Sequence, residues 1–176
     1  MAWNSCKKQG GGWYSLFLLT LFITGCSISY KFSGASIDYA STKTFSISLF
    51  NNQAPLVYPP LSQSFTEALR ELFRRQTRLE EVSQGGDFTL EGAIVGYDLA
   101  PVAVQENSYA LLTRFTMTVS VHFENNANPK KNFDRTFSAY TDFESSSLFS
   151  DVQDDLVRQL TEDITKQIFN ATAEDW

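Results

Sequence analysis

Three groups of residues in this chain have the types and spacing that could do chemistry, and the usual catalytic residues are few. His122 is the one histidine, and Cys6 and Cys26 are the two cysteines, of 176 residues. A zinc site, or a Ser-His or Cys-His mechanism, would have to be assembled from that stock. No serine sits in a Gly-x-Ser-x-Gly elbow. A catalytic His122 would need a nucleophile and an orienting acid beside it; an ordinary surface histidine needs neither. The second group is carboxylate: Asp142, Glu144, Asp151, Asp154 and Asp155. Hard cations take such oxygens, but the ordered spacing and central glycine of a calcium loop are missing. Acids are also favoured at a helix N-terminus. The third group is Arg70, Arg74, Arg75 and Arg78, four arginines within nine positions. Guanidinium forks match phosphate or carboxylate in two-point contacts. The same arginines could instead pair with Glu67, Glu71, Glu80 and Glu81 as a solvated helix end. On this reading there is no catalytic residue, no metal and no cofactor.

The cysteines carry the most specific signal. Lys7 and Lys8 precede an eleven-residue run, Trp13 to Ile23, that is apolar except for Ser15 and Thr20. A membrane crossing needs about 20 apolar residues, so this is the shape of a secretory signal. The run ends in Ile23-Thr24-Gly25-Cys26, which looks like a bacterial lipobox. Small residues before the cysteine leave an extended backbone for the signal peptidase, and the cysteine takes a thioether lipid. Cys26 would become the first mature residue, and each buried acyl methylene would contribute about 0.8 kcal/mol to membrane retention. Cys6 would leave with the signal, so the mature chain must fold without a disulfide. The expected organisation is a signal over residues 1–25, a lipidated tether over 26–42 and one domain over 43–176.

Lys plus Arg is 14 against 20 for Asp plus Glu, a formal net charge of −6. Losing Lys7 and Lys8 makes the mature chain two charges more acidic. That balance argues against nucleic acid as a partner. At 43% hydrophobic and 19% charged residues, the composition is that of a globular domain.

The elements that must position these groups follow from periodicity. Thr44 to Phe50 alternates, with Phe45, Ile47 and Leu49 on one face, and Asn51-Asn52 closes the strand. Leu61 to Gln76 places Leu61, Phe65, Ala68, Leu69, Leu72 and Phe73 at helical intervals, and Ser64 to Glu67 has capping-box spacing. Phe88 to Tyr97 is apolar on both parities, which suits a central strand; Gly92 and Gly96 within it suggest a bulge or close packing. Tyr109 to Glu124 puts Phe115, Met117, Val119, Val121 and Phe123 on one face. Arg114, Thr116, Thr118, Ser120, His122 and Glu124 take the other. A hairpin over Asn125 to Lys131 leads to a strand over Asn132 to Phe143. A final helix begins at Ser150, where Ser150 to Gln153 again has capping-box spacing. The expected class is α+β: two helices on one face of a four-stranded mixed sheet, in the order β-α-β-β-β-α. Leu99, Pro101, Val102 and Val104 fall in an expected loop, Asp98 to Ser108. They either fold back on the core or form a tip that a protein partner covers.

Taken in order, these features resemble the LptE family of lipopolysaccharide-assembly lipoproteins, in its divergent rather than enterobacterial branch. The resemblance spans residues 26–176. It rests on Phe32-Ser33-Gly34-Ala35-Ser36, on Leu61 to Leu79 with Thr66-Glu67-Ala68-Leu69-Arg70, and on Gly92 to Val104. Asn128-Pro129-Lys130-Lys131, Phe137-Ser138-Ala139-Tyr140 and the closing acidic helix complete it. The resemblance implies two helices on a four-stranded sheet. It also implies an outer-membrane lipoprotein, lipid-anchored and facing the periplasm, that plugs the LptD β-barrel and helps that barrel deliver lipopolysaccharide to the cell surface. The family's lipopolysaccharide contacts are attributed to basic residues, for which Arg70, Arg74, Arg75 and Arg78 are the candidates by charge. The alternative class is an envelope lipoprotein with carbohydrate-binding or hydrolase activity, with Tyr30, Tyr58, Tyr97 and Tyr109 as aromatic platforms.

Overall fold

A computed structural model describes residues 37–56, 58–102 and 111–173. The chain divides into Met1–Phe32 and Ser33–Trp176, and only the second unit is described. The lipobox residues Ile23, Thr24, Gly25 and Cys26, together with Val104, lie outside the described residues.

The elements are β1 (Thr44–Ile47), β2 (Asn51–Asn52), α1 (Leu61–Gln76), β3 (Glu80–Glu81), β4 (Phe88–Val102), β5 (Leu112–Asn125), β6 (Phe133–Glu144) and α2 (Phe149–Ala173). A 3-10 turn at Pro129–Lys131 joins β5 to β6. The class is the expected α+β, but the sheet has six strands rather than four, in the order β3-β1-β4-β5-β6 with β2 beside β4. The two extra strands are two-residue pieces that alternation cannot reveal. β4, β5 and β6 form an antiparallel meander. β1 runs parallel to both β3 and β4, because the chain returns through α1 before pairing again.

Aromatic side chains lock the helices onto one face of this sheet. Phe73 of α1 meets Phe45 of β1 at 5.4 Å and Phe169 of α2 at 5.2 Å between ring centroids. Phe149 at the start of α2 packs on Phe115 and Tyr97. Phe45, Phe65, Phe73 and Phe115 are completely buried, and each such burial is worth roughly 1.5–3 kcal/mol. Ile37 and Thr42, from the segment assigned to the tether, are buried as well.

The first strand departs from its alternation. Leu49 is 51% exposed and Phe50 is fully buried, the reverse of the expected faces. One extra residue lies between the two parallel pairings, since Ile47 sits opposite Leu90 and Asn51 opposite Ala93. The shift is held from α1: the Phe50 N–H donates to Thr66 Oγ1 (3.0 Å) and the Asn52 N–H to Ser62 Oγ (2.9 Å). Phe50 then lies across Gly92, where a Cβ would stand 2.5 Å from its ring and 2.2 Å from the Ser120 carbonyl oxygen. Close packing is therefore the reason for Gly92, while the bulge in β4 falls between Ile94 and Gly96.

Neither expected capping box forms. α1 starts at Leu61 with Pro60 before it and no side-chain cap, and the Ser64 hydroxyl donates instead to the Leu61 carbonyl. In α2, which starts at Phe149, the Ser150 hydroxyl donates to Asp151 Oδ1.

Candidate functional site

The helix-free face of the sheet carries ordered rows of polar side chains. Cross-strand register places Tyr140, Ser138 and Thr136 of β6 beside Thr116, Thr118 and Ser120 of β5. The β4 residues Asp98, Gly96 and Ala93 complete the three rows. The hydroxyls of Thr118 and Ser138 lie 3.2 Å apart, and the Ser138 hydroxyl also reaches the Met117 carbonyl. At one end Arg114 grips Asp142 with two N–H groups, at 2.8 and 2.9 Å. Its guanidinium lies 3.9 Å over the exposed Tyr140 ring. The Arg114 hydrogen bonds hold the Asp142 carboxyl below its ordinary range.

At the other end His122 bridges two acids: Nδ1 stands 2.6 Å from Asp134 and Nε2 3.2 Å from Glu124. Those hydrogen bonds, Asp134 first, raise its pKa above 6.5. Glu91 of β4 lies opposite His122 from the other side. His122 is thus a cross-strand clamp on a solvated face. Among the described residues, no serine is a hydrogen-bond partner of His122.

The arginine group divides. Arg70 Nη2 donates to the Ile47 carbonyl (2.7 Å), on the side of β1 where the β3 pairing ends at Phe45, and its buried Nε stands 3.5 Å from Glu81 without hydrogen-bond geometry. Arg74 pairs with Glu67 at 2.8 Å, Glu71 at 3.3 Å and Glu81 at 2.6 Å. The Glu81 and Glu67 hydrogen bonds raise the Arg74 pKa still further. These two arginines therefore tie α1 to β3. Arg75 forms no ion pair with a described residue, and Arg78 stacks 5.9 Å over Tyr39. The four do not form one cationic patch.

Asp98 to Val102, the first part of the segment expected as a loop, is strand. Leu99, Pro101 and Val102 belong to β4 and face Phe115, Thr113 and Leu112 of β5. Beyond Ile94 no strand among the described residues flanks β4 on its other side, so a proline without an N–H is tolerated there. Leu99 is 38% exposed; Leu111 and Leu148 are 73% and 69% exposed.

The carboxylate group also disperses. Asp142 is held by Arg114, Asp155 by Arg158 at 2.6 Å, and Asp154 accepts the Tyr58 hydroxyl. That contact pushes the Tyr58 pKa up to about 12. Among the described residues no three His, Cys, Asp or Glu side chains converge on a metal-sized point. Of the aromatic platforms, Tyr97 is buried and its hydroxyl accepts from Gln153. Tyr30 and Tyr109 lie outside the described residues. Two depressions stand out. One of about 450 Å³ is lined by Ile37, Asp38, Phe88, Asn125 and Lys131. The other, about 320 Å³, runs between the helices beside Tyr58, Ala68 and Val157. In the first, hydrogen bonds from the Ala40 N–H and the Ser41 hydroxyl lower the Asp38 pKa, the opposite of what a general acid needs.

Set against known proteins, residues 42–172 match the family model described as LptE, lipopolysaccharide-assembly. The chain belongs to the LptE family. Membership gives an envelope lipoprotein with a role in lipopolysaccharide assembly and transport. A search among curated proteins finds no match to the chain. Among solved structures, a protein from Xanthomonas campestris superposes with a TM-score of 0.51 at 11% identity, over 76% of this chain and 84% of that one. A Helicobacter pylori protein, described as a neuraminyllactose-binding hemagglutinin homolog, superposes with a TM-score of 0.50 at 10% identity, over 80% and 88%. A rare lipoprotein B from Shewanella oneidensis gives 0.47 at 13% identity, over 72% and 92%. At these identities the likeness to the first two concerns the fold alone. Among the described residues of this LptE-family chain, no helix is long and apolar enough to cross a membrane.

Proposed function

We propose that this protein is an outer-membrane lipoprotein that seats as a plug inside an LptD-type β-barrel, assists assembly of that barrel and so serves delivery of lipopolysaccharide to the cell surface. The observation that carries the reading is the family match over residues 42–172. The lipobox Ile23-Thr24-Gly25-Cys26 supports it: acyl chains on Cys26, palmitate among them, would hold the domain at the periplasmic side of the membrane. Signal residues 1–25 are removed in that process.

A barrel lumen is polar and lined by alternate side chains. A domain whose aromatic core is sealed between sheet and helices, and whose open sheet face carries hydroxyls and charges, can fill such a lumen. The role requires occupancy of space, and no catalytic step or cofactor. Should lipopolysaccharide touch the domain directly, Arg75 and Arg78 are the members of the arginine group left for its phosphates, because Arg70 and Arg74 are engaged by Glu67 and Glu81.

Depletion of the protein in its own cells tests the reading. Surface lipopolysaccharide and mature, folded barrel should fall together. Unchanged surface lipopolysaccharide, with the lipoprotein recovered solely as a free monomer after gentle detergent extraction, would overturn it.

A further inference from the structure

We infer that the helix-free sheet face, rather than the outer faces of the helices, is the surface that meets the barrel wall, and that the wall opposite it is basic. The inference rests on the plug reading and adds which side of the domain docks and to what chemistry.

Three observations carry it. The first is shape: β4, β5 and β6 run side by side for 15, 14 and 12 residues. A long strand face can lie against the strands of a barrel as two sheets pack in a sandwich, about 10 Å apart. The second is the entropy of docking. The centre of the face is made of short side chains, Thr116, Thr118, Ser120, Thr136 and Ser138, already placed by strand pairing. Its longer groups are braced in advance, Arg114 by Asp142 and Tyr140, and His122 by Asp134 and Glu124. Docking such a surface immobilises little that was free. The outer face of α2, by contrast, carries Gln159, Glu162 and Lys166, long side chains that each lose up to about 1.5–2 kcal/mol of rotamer freedom when fixed.

The third observation is charge. Glu91, Asp98, Glu124, Asp134 and Asp142 all project from this face, where Arg114 is the one fixed cation among the described residues. No arginine or lysine among the described residues pairs with Glu91, Asp98, Glu124 or Asp134. Like charges brought together across an interface cost several kcal/mol. The complementary wall must therefore supply arginines or lysines, which would reach carboxylates that the described residues leave without guanidinium or ammonium partners.

The test uses the full lipidated chain, tagged and extracted from its own cells in mild detergent, with the co-purifying barrel quantified. The sheet-face set is Glu91→Lys, Asp98→Lys and Glu124→Lys; the control set on α2 is Asp155→Lys, Glu162→Lys and Asp163→Lys. Recovered barrel should fall roughly tenfold or more for the first set and stay at the wild-type level for the second. A neutral set, Glu91→Gln, Asp98→Asn and Glu124→Gln, preserves side-chain shape and decides the matter if the lysine set melts early; it should give an intermediate loss. Full retention by the neutral set in a folded protein, or loss of barrel on the α2 set with the sheet set unaffected, overturns the choice of face while leaving the plug reading intact. Wild-type protein that brings down no barrel overturns the plug reading and this inference with it.

Discussion

The two faces of one sheet in this protein share strands, register and hydrogen bonds, yet they are built by different physics. Facing the helices, Phe115, Met117, Val119, Val121 and Phe123 of β5 are at most 1% exposed. Facing away, Arg114, Thr116, Thr118, Ser120 and His122 alternate with them and find their partners laterally, strand to strand. The buried face is close-packed and intolerant of volume change. The open face consists of hydroxyls and ion pairs whose contribution to stability is small in water. Stability and recognition are thereby assigned to opposite sides of the same strands, so one can be altered without the other.

The sharpest way to break that separation is on the packed side. Phe45→Ala removes a completely buried ring that contacts Phe73, and should lower unfolding free energy by about 3–5 kcal/mol in a denaturant titration. Gly92→Ala, with a Cβ 2.2 Å from the Ser120 carbonyl oxygen, should cost about 1–3 kcal/mol or more, since a backbone oxygen cannot step aside. A change below about 1 kcal/mol in either would mean the packed face is looser than its geometry indicates.

Asp87 is the next test, at the seam between β1 and β4. Its Oδ2 accepts the Lys43 and Thr44 N–H groups and the Thr44 hydroxyl, at 2.8, 3.0 and 3.0 Å. Those bonds, Lys43 first, lower its pKa below 3.8. A lowered carboxylate pKa gives stability that is present above the unfolded value and is lost as pH falls through the folded one. Asp87→Ala should cost about 1.5–3 kcal/mol at pH 7. The gap from wild type should narrow as a series of melts is taken below pH 4.

On the open face the effects shrink. His122 has a raised pKa, so the sign is opposite. Its contribution is complete below pH 6.5 and is lost as pH rises through the folded value. The melting temperatures of wild type and His122→Asn should therefore converge between mildly acidic and alkaline pH. The smallest effect belongs to the exposed ion pairs of α1: Arg74→Ala should cost less than about 1 kcal/mol despite its three carboxylate partners. A larger loss there would place the helix end among the structural supports.

The parts legible from sequence were those governed by a single periodicity. The bounds of α1, the two faces of β5 and the partly buried Phe133, Phe137 and Phe143 of β6 follow from spacing alone. The shift at Phe50 does not, because Thr66 and Ser62, on a helix formed later in the chain, hold it. The continuation of β4 through Pro101 likewise depends on its pairing with β5 alone, among the described residues, beyond Ile94. Of the open face, the residue types were readable, including Thr116 to His122. Their partners Asp134, Ser138 and Asp142 required the β5–β6 register that the Asn125–Lys131 turn sets. The arginine group was visible, but which of its members act as struts depends on Glu81, on a strand too short to announce itself.

Photo-crosslinking in living cells tests the central claim most directly. A photoreactive amino acid would be placed either at Ser120, on the open sheet face, or at Gln159, on the outside of α2. The account predicts a light-dependent adduct with a large β-barrel from Ser120 and little or none from Gln159. Adducts from Gln159 alone, or none from either position in cells making normal amounts of the protein, would contradict it.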